Sequence, residues 1–288
     1  MSKIAILADS GCQIELDKYE NQGVFIVPLC ITFENKTYLD QVDIHSEEVF
    51  HIMEEKGIMV MTSQPSVGEL AKALEKIKAA GYEEVVGISI ATGLSSTLNG
   101  MNLAADLAEI PITLVDSKAT AGIHKYLVET AMKLVKVGKT SSQIKEILDN
   151  MVKDSRTIIM APNLDHLKKG GRITPAVALL GSMLKIVPVM ELNHELGGKI
   201  DTLAKVRTLK KAHAKLAERM LELGVNAKDY LFTIEHVLCE DYAIEVKNKL
   251  EEVIGECEVV VRELPAVVGA HMGVGGVGCQ FIKKYNLN

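Results

Sequence analysis

Val85-Val86-Gly87-Ile88-Ser89-Ile90 is a short apolar run that passes into Ala91-Thr92-Gly93-Leu94-Ser95-Ser96. From Thr97 to Leu107 the apolar residues then recur at helical spacing. Strand, glycine-containing turn and helix in that order make the repeating unit of an open parallel sheet, because parallel neighbours must be joined by a crossover. Working outward, Ile4 to Ala8, Val24 to Leu29 and Ile112 to Val115 read as further strands. Glu47 to Lys56 and Val67 to Ala80 read as helices between them. Ser66 followed by Glu69, and Thr140 followed by Gln143, have the spacing of a capping box, in which side chain and backbone at a helix start satisfy each other. A strand from Thr157 to Ala161 is expected to close this half.

The second half changes texture. Ile186 to Leu192, Lys199 to Val206, Tyr230 to His236 and Val259 to Leu264 read as strands around helices Leu209 to Leu223 and Asp241 to Val253. Asn193-His194-Glu195-Leu196-Gly197-Gly198 suits a hairpin turn, so antiparallel pairing is expected here. The fold class is therefore α/β with two domains: a mostly parallel sheet flanked by helices in 1–157, then an α+β domain with an antiparallel sheet in 158–288. The boundary is placed near Arg156 to Asn163.

Composition narrows the function. The 288 residues are 48% hydrophobic but only 4% aromatic, with no Trp, so burial must rest on Val, Ile, Leu, Ala and Met. Base stacking is ill served by such a chain. A net charge of −6, with Lys and Glu interspersed, offers no basic stripe for a phosphate backbone, and nucleic acid is not expected as a partner. The opening, Met1 to Asp9, is too short and too acidic at its end for a signal-peptide core, and no apolar run reaches spanning length. Cys12, Cys30, Cys239, Cys257 and Cys279 are an odd, scattered set, which points to reduced thiols and a cytoplasmic location.

Four segments carry polar groups at turns. Thr62-Ser63-Gln64-Pro65-Ser66 stands before a helix, where free amides and the positive dipole end favour an anion; Ser66 also reads simply as an N-cap. Thr92-Gly93-Leu94-Ser95-Ser96-Thr97 puts hydroxyls at the carboxyl end of a parallel strand, where ligands of such sheets sit, and ordinary capping would look the same. In Lys168-Lys169-Gly170-Gly171-Arg172 the glycines suit a helix C-cap, while Arg172 also suits bidentate contact with a carboxylate or phosphate. Lastly, His271-Met272-Gly273-Val274-Gly275-Gly276-Val277-Gly278 contains Gly-x-Gly-x-x-Gly, but ten residues cannot supply the helix, second strand and acid of a dinucleotide site. What remains is a backbone in close approach to something, with His271 beside it. Nucleophile elbows, Walker loops and His-Glu-x-x-His are missing, so neither catalytic residues, nor a metal site, nor a cofactor is expected.

Asp9-Ser10, Thr62-Ser63-Gln64-Pro65, Gly93-Leu94-Ser95, Asp116-Ser117, Lys169-Gly170-Gly171-Arg172-Ile173, Lys205-Val206-Arg207-Thr208 and Gly269-Ala270-His271 together resemble the DegV family in order and spacing, over essentially the whole chain. Departures occur at Thr92 and Ser96, where members commonly have Ser and Gly, and at Val274, where they commonly have Pro. The resemblance implies a two-domain protein holding a long-chain fatty acid in an apolar tunnel. It further implies a carrier subunit that presents the acyl carboxylate to a separate kinase subunit of fatty acid kinase, for acyl-phosphate formation. Carried over by motif, Thr62 and Ser95 resemble carboxylate hydrogen-bonders, with Ser63 and Ser96 beside them in the same turns. His271 resembles a polar neighbour of the head group, and Arg172 and Arg207 resemble basic positions at the tunnel mouth or partner surface. Transient contact with a membrane surface for lipid exchange fits that role. The alternatives are a phosphotransferase like the dihydroxyacetone kinases, which would need a nucleotide loop or substrate nucleophile, and a lipid-responsive regulator without a kinase.

Overall fold

The computed structural model describes residues 3–162, 164–179 and 186–286; Met1, Ser2 and the boundary residue Asn163 lie outside them. Its first strands are β1 (Ile4–Asp9), β2 (Val24–Val27), β3 (Cys30–Phe33), β4 (Lys36–Leu39), β5 (Met61–Ser63), β6 (Glu84–Ser89) and β7 (Ile112–Asp116). They are followed by β8 (Ser155–Met160), β9 (Val187–Asn193), β10 (Ile200–Val206), β11 (Tyr230–His236), β12 (Val259–Glu263) and β13 (Val277–Lys283).

Strands β2-β1-β6-β7 form a wholly parallel sheet, as the alternation of apolar runs and helices dictates. One face is packed by helices Val67–Ala79 and Thr97–Ala108 through Leu70, Leu74, Met101 and Ala104. The other is covered by helices Ala121–Lys136 and Ser141–Lys153 through Leu127, Ala131, Ile144 and Leu148. The carboxyl ends of this sheet are latched by acids and hydroxyls. Asp9 accepts from the amides of Gly11 (3.0 Å) and Ile90 (2.8 Å), Ser10 Oγ from Leu29 N (3.0 Å), and Asp116 from Thr92 N (3.1 Å) and Lys118 N (3.0 Å). The paired motifs Asp9-Ser10 and Asp116-Ser117 thus shape the turns that face the second sheet.

That second sheet has the order β10-β9-β8-β13-β11-β12 and is antiparallel except for the β11–β12 pair. The Asn193–Gly198 hairpin forms as expected, with Ile200 opposite Leu192. The strand expected to close the first half, β8, instead lies inside this sheet between β9 and β13. Its residues are buried along their whole length, so it needs a partner on each side and a cover on each face, which only a central position provides. Helices Leu209–Glu222 and Glu240–Ile254 cover the outer face. The inner face looks back toward the parallel sheet.

Several elements were not legible as elements in the sequence, among them β13, which lies inside the second sheet. The small sheet β4-β3-β5 consists of strands of three or four residues, below the length at which alternation declares itself. Helix Ala121–Lys136 and helix Ala266–Met272 begin without a side-chain cap, so the usual start signal is absent. Of the two expected capping boxes, Thr140/Gln143 is complete. Ser66 accepts from Glu69 N at 3.1 Å, but Glu69 turns its carboxylate to Lys72 at 2.8 Å instead of closing the box. Thr140→Ala is accordingly expected to cost about 1 kcal/mol of stability, measurable as a shift in the urea midpoint at constant slope; no shift would show the helix start to be held by packing alone.

Among the described residues no helix is long and apolar enough to cross a membrane. The five cysteines are all free thiols.

Candidate functional site

Between the carboxyl edge of the parallel sheet and the inner face of the six-stranded sheet lies a predominantly apolar cavity with about 760 Å³ of empty space, counting its open mouth. One row of the second sheet makes its floor: Ile200, Leu192, Thr157 and Gln280 are successive cross-strand partners, and all four line it. Leu29, Ile90, Leu94 and Ile159 add apolar wall, and Leu264, just before helix Ala266–Met272, and Val267, within it, close the cavity.

At one end the polar residues singled out above converge. Thr62, in the middle of β5, is hydrogen-bonded to His271 across 209 residues of sequence, with 2.6 Å between Oγ1 and Nε2. His271 is 8% exposed. Burial, then the charge of Arg172 and the neighbouring His166, hold its imidazole down at about 3, so the ring is neutral. Its closeness to the Lys168–Arg172 turn is fixed by Gly170, where an added Cβ would stand 2.2 Å from His271 Nδ1. Gly171, at φ 71°, takes the left-handed C-cap of helix Asp165–Gly170, so the two glycines have separate jobs.

Arg172 lines the cavity itself, and its guanidinium donates to the carbonyls of Leu94 (3.3 Å) and Gly170. Burial lowers its pKa, but a guanidinium stays charged at any physiological pH. Ser95 lines the cavity beside Leu94, its Oγ 2.8 Å from Thr97 Oγ1. Ser63 also lines it, from an exposed position. Ser96 is exposed at the N-cap of helix Thr97–Ala108 and is not part of the lining, and Arg207, exposed after β10, is not either. The structure therefore gathers Thr62, Ser63, Ser95, Arg172 and His271, and leaves Ser96 and Arg207 outside the cavity.

The sequence reading passed over two groups of lining residues. Gln64, inside the Thr62–Ser66 segment, lines the cavity with a buried Oε1 that lacks a hydrogen-bond partner among the described residues. At the other end Thr120, Thr157, Glu235 and Gln280 are all buried. The available signal was a polar residue inside an apolar strand, as in Gly278-Cys279-Gln280-Phe281-Ile282. The Gly273–Gly278 run leads into β13 and not into a helix, in keeping with rejection of a dinucleotide site. Among the described residues no group of three or more His, Cys, Asp or Glu is placed to hold a metal ion.

Comparison with known proteins gives one consistent result. The family model described as "Uncharacterised protein, DegV family" matches residues 3–284. A DegV domain-containing protein of Halalkalibacterium halodurans is 30% identical, the alignment covering 99% of this chain and all of the relative. Among solved structures, a fatty acid binding DegV family protein of Streptococcus agalactiae superposes with a TM-score of 0.89 at 26% identity, over 99% of this chain and 100% of that one. DegV of Bacillus subtilis, described as a fatty acid binding protein, superposes with a TM-score of 0.86, also at 26% identity and with the same coverage.

Proposed function

The chain belongs to the DegV family, and on that premise we propose that it binds one long-chain fatty acid in the inter-sheet cavity and presents the carboxylate to a separate kinase subunit. The observation that carries this reading is the Thr62–His271 pair, 2.6 Å long, at one end of a predominantly apolar cavity. With His271 neutral and its Nε2–H donating to Thr62 Oγ1, the Thr62 hydroxyl is left to donate to an anion. Ser95 and the Arg172 guanidinium stand in the same wall, and charge-assisted hydrogen bonds from such donors are the strong ones.

The acyl chain supplies the rest. At about 0.8 kcal/mol per buried methylene, a tail of some 14 methylenes offers roughly 11 kcal/mol before the cost of immobilisation. Phosphoryl transfer to an ionised carboxylate requires no proton to be removed from it, so the carrier's contribution is to hold and orient the nucleophile, with nucleotide and metal supplied by the kinase. Arg207, exposed after β10, is assigned to the partner-facing surface.

The test is a labelled-ATP assay with this protein, a fatty acid and Mg²⁺, with and without a fatty acid kinase subunit. Acyl-phosphate is expected only when both proteins are present. Robust formation by this chain alone would overturn the carrier reading.

A further inference from the structure

The inner end of the cavity is too polar for a methyl terminus. Glu235 is fully buried, and its Oε1 accepts from Gly122 N (3.1 Å) and from Arg262 Nε (3.1 Å) and Nη2 (3.0 Å). Its Oε2 is buried with no hydrogen-bond partner among the described residues, although the residue lines the cavity and Arg262 does not. Burial, opposed by Arg262, pushes this carboxyl up to about 7. Next to it Gln280 is fully committed: Oε1 accepts from Ile123 N (3.0 Å), and Nε2 donates to Thr120 O (3.1 Å) and Thr157 Oγ1 (3.2 Å). Thr157 Oγ1 is thereby fixed as an acceptor, and its own hydrogen remains free to donate toward the cavity.

An unsatisfied carboxyl oxygen and a free hydroxyl donor, both at least nine-tenths buried, are complementary to one kind of group, which both accepts and donates. We infer that the cavity selects an acyl chain bearing a hydroxyl far from its carboxylate, the hydroxyl accepting from Thr157 and bonding Glu235 Oε2. The distance is suitable. Ile200 bridges Ile173, next to Arg172, on the edge strand β10, and Gln280 lies three strands away in the same row. At a strand spacing of about 4.8 Å this is roughly 14 Å of cavity floor. Either protonation state of Glu235 serves, because a hydroxyl donates to the carboxylate and accepts from the acid. A plain alkyl chain would leave both groups buried and unpaired, which a site built for a hydroxyl discriminates against strongly.

This inference rests on the fatty-acid reading and is tested beside it. Delipidated protein is titrated with stearic acid and with hydroxystearic acids whose hydroxyl moves from mid-chain toward the methyl end. One position is expected to bind at least about tenfold more tightly than stearic acid. That ratio should fall toward one in Thr157→Val and return in Thr157→Ser, which a purely structural threonine would not produce. Stearic acid binding as tightly as every hydroxy acid would overturn the inference, an ordered water then filling the polar end, and would leave the fatty-acid reading standing. Failure of every acid in the series to bind would overturn both.

Discussion

Replacing Thr62 by Val and Ser95 by Ala in one protein is expected to weaken long-chain fatty acid binding by roughly 10² to 10⁴-fold while the fold persists. A buried carboxylate would lose two hydroxyl donors, each worth about 1.5–3 kcal/mol when the acceptor is charged, and about 1.4 kcal/mol is a factor of ten in affinity. Neither hydroxyl carries the fold. Thr62 is half-buried, and among the described residues its side chain is bonded only to His271 and Ser95 Oγ only to the neighbouring Thr97. Retained lipid is read by mass spectrometry of the purified variant, and folding by its thermal transition. A well-folded double variant that keeps its lipid as the parent does would show that the carboxylate sits elsewhere.

The delipidated protein should also carry an acid-side stability loss that belongs to His271. Its folded value near 3 lies below the ordinary 6.5, so between those values the unfolded chain binds a proton that the native state refuses. Stability from this group is therefore fully present above pH 6.5 and is lost as pH falls toward 3, by roughly 5 kcal/mol at most. Glu235 and Asp40 act in the opposite sense: burial raises them to about 7 and about 6, so their contribution falls as pH rises through the same range. Comparison with His271→Gln isolates the histidine, since Gln does not titrate. Urea midpoints at pH 7 and pH 4 should show the variant gaining on the parent as the solution is acidified. A difference between the two proteins that stays constant with pH would mean that His271 is not held neutral by burial.

The parallel sheet was readable because its strands are apolar runs and β6 leads through a turn into a periodic helix, as at Val85 to Leu107. The second sheet was readable as strands except for β13, and its order was not readable. Nothing local in Ser155–Met160 tells whether it pairs with β7 or with β13; its burial on both faces is a tertiary fact. The candidate site was legible where side-chain chemistry coincides with a turn, as at Thr62, Ser95 and Arg172. His271 stood out by its glycines, but its partner is 209 residues away, beyond any sequence spacing argument. Gln280 and Glu235 were illegible for a different reason. A lone polar residue in an apolar strand looks the same whether it satisfies a neighbour's backbone or faces a ligand, and Gln280 does the first so that Thr157 is free for the second.

The central claim is that this chain carries one long-chain fatty acid between its two sheets. Native mass spectrometry of the protein purified under non-denaturing conditions, followed by denaturing extraction of the same sample, measures it most directly. The expected result is a mass increment of one acyl chain per protein molecule that disappears on denaturation, with a C14 to C18 acid, plain or hydroxylated, in the extract. A ligand-free mass that stays unchanged when fatty acid is added, or an extract containing only a non-acyl ligand, would contradict it.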